Sequence, residues 1–175
     1  MKIVAIFAHR LFAFKYEGEA DNEYDRLLDL WMDTEYVRSF LNANEKDIPS
    51  HKTKRQFVEY IRQDAINIDE QLIRITETTD QLLSYFFKPL HNNEYKFKIL
   101  SLQKGRQHCL RLYAIKIDED TFVITGGAIK LPLHHLMDDR EHTRVELQKL
   151  KSAKSYLKEN GVFDEESFFE FLNEN

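Results

Sequence analysis

The chain has 175 residues, 42% of them apolar, and carries 25 Lys+Arg against 30 Asp+Glu. That apolar share excludes a disordered chain, and the length suits a single domain, 1–175, with a core of its own. A lone Cys109 excludes an internal disulfide, and no stretch reaches the ~20 apolar residues of a membrane-crossing helix. The opening MKIVAIFAHR has too short an apolar run for a secretory signal, so the expected compartment is the cytoplasm. Cys109 sits in a strand pattern beside Leu110 and reads as a buried, inert thiol.

Residues 2–8 read as an apolar strand, and 11–16 alternate as its partner would, with His9-Arg10 as the turn. After these N-terminal strands (1–20), Asp21 or Asn22 caps a helix. Its stripe of Tyr24, Leu27, Trp31, Val37, Phe40 and Leu41 keeps helical spacing. A second helix is predicted over 52–87, either continuous or broken near 76–80, where two Thr and an Asp lower the propensity. Pro89 stops it. Residues 21–90 therefore read as an antiparallel helical hairpin.

Three strands follow within 95–131, at 95–102, 108–117 and 121–131. The connections fall at 103–106 and 118–120, and Gly126-Gly127 marks a bulge or a close backbone approach. After Pro132, residues 134–142 read as irregular or as a short helical turn. In 143–175 an amphipathic helix runs from about 143 to 160, with Gly161 as its C′ residue. Asp164 then caps a last helix, which Phe168, Phe169, Phe171 and Leu172 dock. The predicted fold is α+β, a small antiparallel sheet with the helical hairpin and the C-terminal helices packed on one face.

Charge divides along this order. Residues 1–93 hold 12 Lys+Arg against 16 Asp+Glu, residues 94–160 hold 13 against 9, and the last fifteen hold five acids and no base. The sheet region is thus the basic part, with Lys96, Lys98, Lys104, Arg106, Arg111 and Lys116 on the first two strands and their connection, and Lys130 beyond the Gly pair. Such a surface suits a phosphate-bearing partner, and it equally suits a solvated strand face. The acidic tail has the charge to lie across that sheet and mask it. Three Phe in so short a terminal helix dock on the same molecule or form a homodimer contact.

The segment ILSLQKGRQHCLRLYAIKIDEDTFVITGGAIKLP, with TRVELQKLKSAKSYLKE after it, resembles the RelE/ParE/HigB-like toxin superfamily of bacterial toxin–antitoxin systems. It has a basic strand with a Leu-Arg pair, an acidic turn, an apolar strand ending in a base, and a closing helix. The resemblance implies a RelE-like architecture and a metal-independent mRNA endonuclease, free or ribosome-associated, neutralised by an antitoxin protein. Arg111 then matches the strand Arg that contacts RNA phosphate, Lys130 the base ending the last strand, and Arg106 a base of the first hairpin. A branch acting on gyrase shares the fold. The chain has one Lys at 130 where the family commonly has two, and its net charge is −5, which favours a non-catalytic binding protein of the same fold.

Cleavage of RNA needs a base for the 2′-hydroxyl, positive charge on the phosphate and an acid for the leaving oxygen. Arg111, Lys130, Tyr113 and Arg106 form the expected catalytic set, and Lys104, Lys96, Lys98 and Lys116 the expected nucleic-acid contacts. His108 is a further acid–base candidate, but strand alternation puts it on the face opposite Arg111 and Tyr113. His134, Asp138 and His142 would share a face only if helical, and a solvated loop rather than a metal site is expected there. No cofactor motif is present.

Overall fold

In the computed structural model the described residues are 1–7, 9–90, 100–136 and 140–175. The N-terminal hairpin forms as read, with β1 at Lys2–Phe7 and β2 at Leu11–Lys15. His9 turns the corner at φ 66°, and Arg10 N–H donates to Phe7 O at 3.1 Å. The first predicted helix is instead two, α1 (Glu23–Met32) and α2 (Thr34–Ala43). Asp33 is the reason. It ends α1 with extended backbone, and its carboxylate accepts from the Glu35 and Tyr36 N–H groups to start α2.

A capping box between Thr53 and Gln56 opens α3 (Lys54–Glu77). The alternative of an interruption near 76–80 resolves as an end. Thr76 and Thr78 turn their hydroxyls back onto the carbonyls of Leu72, Ile73 and Ile75, competing with the helical ladder. Arg10 then closes the helix, donating to Ile75 O, Thr78 O and Gln81 O while paired with Asp120. Residues 78–87 are therefore not helical apart from one 3-10 turn at Leu83–Tyr85.

The short β3 (Lys88–Pro89) precedes β4 (Ser101–Gln107), β5 (Leu110–Lys116) and β6 (Phe122–Ile129). The expected strand at 95–102 lies mostly outside the described residues, along with Lys96 and Lys98. The expected loop at 103–106 is strand. Gly105 is a close-approach glycine rather than a turn signal, since a Cβ there would stand 1.9 Å from the Phe86 ring. The turn falls at His108-Cys109, with His108 at φ 40°. Opposite Tyr113 and Ala114 the register slips past Thr125, which places the bulge beside the Gly pair.

The sheet order is β1-β2-β6-β5-β4-β3, and β2 runs parallel to β6. This corrects the expected small antiparallel sheet, because the N-terminal hairpin joins the later strands to give six strands of mixed direction. It also explains why Leu11–Phe14 is buried at every position despite its alternating look. Helices cover both faces, not one. On the first face α1, α2 and α3 meet Leu11, Leu110, Leu112, Phe122 and Ile124 through Leu27, Trp31, Leu41, Ile61 and Leu72. On the second, α4 (Glu141–Glu159) and α5 (Glu165–Glu174) meet Phe12, Phe14, Tyr113, Ile115 and Val123 through Leu150, Leu157, Phe168 and Phe171. The α+β class holds. No described helix is long and apolar enough to cross a membrane.

Candidate functional site

Strand register gathers the basic residues. Lys88 lies opposite Lys104, Lys104 opposite Tyr113, and Arg106 opposite Arg111. Residues directly opposite on neighbouring strands share a face. Lys88, Lys104, Arg106 and Arg111 therefore form one patch on the second face, where α4 packs on β6 and β5. Lys104 and Arg106 form no ion pair with a described carboxylate. Burial, then the nearby Arg111 and Arg106 charges, holds the Lys104 ammonium below its usual range. Arg111 is lowered in the same way, by burial first and then by Arg106. An anion here would relieve repulsion that the fold leaves uncompensated.

The β4–β5 turn adds a histidine. Asp64 of α3 is buried, and its carboxylate meets His108 Nδ1 at 2.7 Å and accepts from Cys109 N–H at 3.2 Å. The His108 side chain is nonetheless 74% exposed, because it stands at the tip of the hairpin. Arg111 leans back over the same turn, donating from Nη1 to His108 O at 2.6 Å and to Leu110 O at 2.8 Å. The His108 imidazole turns toward α3 on the first face and Arg111 belongs to the second, so the two side chains keep to opposite faces and Arg111 reaches only the backbone carbonyl of the turn. Burial pushes the Cys109 thiol up to about 11, consistent with an inert cysteine.

Beside this turn, on the α3 side, lies a groove of about 440 Å³ lined by Asn67, Glu70, Gln71, Arg74, Ile75, Gln81, Tyr85 and Gln107. Gln107 directly precedes His108. Tyr85 is an exposed aromatic, at 59%. Half of these residues are side-chain amides, which donate and accept hydrogen bonds alike, and Glu70 and Arg74 add one charge of each sign.

The other expected site residues divide. Tyr113 is 1% exposed, its hydroxyl has no partner among the described residues, and burial pushes its ionisation up, so it neither stacks on a base nor exchanges a proton with substrate. Lys116 lies opposite Phe122 on the first face and pairs with Glu119 at 2.8 Å, away from the patch. Lys130 follows Ile129 at the turn end of the sheet, and its Nζ donates to His135 O at 2.6 Å. Lys88 and the groove were missed. The only signal for Lys88 was its place before Pro89, a residue confined to sheet edges.

Two further polar clusters are self-contained. Beside Gly126-Gly127, Glu23 binds Arg26 through two hydrogen bonds and Lys149 at 2.7 Å, and Glu146 accepts from Gly127 N–H at 3.1 Å. Burial raises the Glu146 carboxyl, and two acids there balance two bases. This network ties α1 and α4 to β6 and leaves a cavity of only about 120 Å³. His134 and His142 stand 5.5 Å apart by ring centroids, and their Nε2 atoms go to Leu136 O and Ile129 O. Burial lowers both imidazoles. Asp138 lies outside the described residues, and among those described no three His, Cys, Asp or Glu side chains are grouped to hold a metal.

Phe168 packs on Phe12 at 5.2 Å between centroids and Phe171 on Tyr156 at 6.1 Å, so α5 docks on its own chain over β2. Its acids therefore do not lie across the basic patch, which is carried by β3, β4 and β5. No protein-family model, curated protein or solved structure matches the chain.

Proposed function

We propose that the chain binds RNA through the patch of Lys88, Lys104, Arg106 and Arg111 and acts as a RelE-like toxin, an endoribonuclease held in check by an antitoxin protein. The observation that carries this reading is the cross-strand gathering of four cations, none of them ion-paired with a described acid. A phosphodiester backbone supplies charge at regular intervals along such a strip, and an Arg fork suits phosphate geometry. Arg106 and Arg111 hold the phosphate and stabilise charge gained by its oxygens during cleavage. Lys88 and Lys104 guide the flanking strand. A non-catalytic RNA-binding protein is the second reading, favoured by the burial of Tyr113.

Tightly controlled induction in a bacterial host separates the two. The wild type is expected to arrest translation and growth. Lys104→Ala/Arg106→Ala, at equal soluble level, is expected not to. Neither side chain forms a hydrogen bond or ion pair with a described residue, so equal soluble level is the control that separates loss of the surface from loss of the fold. Growth that continues under wild-type expression removes the toxin reading and leaves the binding one.

A further inference from the structure

Resting on the RNA-cleaving reading, we infer that His108 is the general base of that cleavage and that the groove beside it seats a nucleobase of the RNA strand. Asp64 fixes the imidazole through Nδ1, which leaves Nε2 as the free nitrogen of a ring 74% exposed. A buried carboxylate behind an accessible imidazole fixes the orientation of the ring, which a base needs and a turn does not. Asp64 also accepts from Cys109 N–H, so the turn is held without the ring.

The surroundings fit a strand of RNA. Arg111 reaches from the second face to His108 O at the hairpin tip, and Arg106 lies opposite Arg111, so a strand whose phosphate the two guanidinium groups hold meets the imidazole by crossing that tip. On the other side the groove opens with Gln107 next to His108 and presents the Tyr85 ring as a stacking surface. Asn67, Gln71 and Gln81 supply amide groups for a base edge, and Arg74 adds a cation. Unstacked bases are recognised by such combinations of aromatic ring and amide. The volume of about 440 Å³ is large enough for one nucleoside.

The step is a transesterification. His108 Nε2 takes the proton of the ribose 2′-hydroxyl, and O2′ forms a bond to phosphorus. The bond from phosphorus to O5′ breaks with its electron pair on oxygen, and O5′ takes a proton from water. The resulting hydroxide recovers the proton from the imidazolium. The products are a 2′,3′-cyclic phosphate and a free 5′-hydroxyl. Asp64 is a positioning residue.

The test uses the full chain and single-stranded RNA oligonucleotides, with cleavage followed by end analysis. Two variants tolerate the left-handed backbone of residue 108, His108→Asn and His108→Gly. Both are expected to stay folded and to keep RNA affinity while cleavage falls by about 100-fold or more. Added imidazole is expected to restore cleavage to His108→Gly, which a merely structural role would not permit. Tyr85→Ala should raise KM and leave kcat near wild type. An oligonucleotide with a single 2′-deoxy sugar at the cut should resist. Cleavage by His108→Asn within about threefold of wild type, with wild type active, overturns the base assignment and spares the RNA-cleaving reading. A wild type that cuts no RNA overturns both.

Discussion

A buried carboxylate that faces a guanidinium is one of the strongest local determinants in this chain. Asp47 is 2% exposed and binds Arg140 at both oxygens, which joins the segment after α2 to the start of α4. The hydrogen bonds from Arg140 hold the Asp47 carboxyl below its usual range. A carboxylate lowered in the folded state adds stability above its unfolded value, and loses it as pH falls through the folded one. Asp47→Asn is expected to cost about 2 kcal/mol at pH 7, a typical figure for hydrogen bonds to a charged group. In urea titrations its deficit against wild type should shrink below about pH 4, the unfolded value. A deficit unchanged by acid would contradict the ion pair. Gly127 is a second such residue, because a Cβ there would stand 2.8 Å from Arg111 O and 2.9 Å from both Leu27 and Trp31. Gly127→Ala should lower stability by about 1–3 kcal/mol, as overpacking does. The Gly pair was legible as a bulge or close approach, since two adjacent glycines in an apolar run have few other uses. The role of Asp47 was not, because its partner is 93 residues away and no local pattern joins them.

At the scale of elements, the C-terminal helix is the clearest case of local sequence deciding structure. Asp164 and Ser167 cap α5 as read, and Phe168 and Phe171 point inward at helical spacing. What the sequence left open was where the helix docks. Phe168 is fully buried against Phe12, so Phe168→Ala should cost about 3–5 kcal/mol and leave RNA affinity unchanged in the folded protein. Removing 162–175 should unfold the chain rather than uncover its basic patch. A truncated protein that stays folded and binds RNA more tightly would restore the idea of an acidic mask. Elements misread from sequence share one cause, that tertiary partners override local signals. Gly105 resembles a turn but yields to the Phe86 ring, and Leu82, Leu83 and Phe86 keep helical spacing but follow a helix that Arg10 has already closed.

For the molecule as a whole, an acidic total hides a division of labour. Glu23 of α1 is compensated by Arg26 and Lys149, and the acidic α5 docks over β2, while the β3–β4–β5 end keeps its positive charge. The basic character of the sheet was legible in the charge count along the chain. Alternation also put Arg111 on the face of Tyr113, but the register that pairs Arg106 with Arg111 and the turn that exposes His108 are properties of the assembled hairpin. The measurement that tests this account most directly is the affinity for single-stranded RNA across a salt series, wild type beside Lys104→Ala/Arg106→Ala. For single strands the slope of log K against log salt falls by about 0.7 for each phosphate the protein ceases to neutralise, so the double variant should flatten it by about 1.4. Wild-type binding with no salt dependence, or equal slopes in the two proteins, would contradict a phosphate-binding sheet.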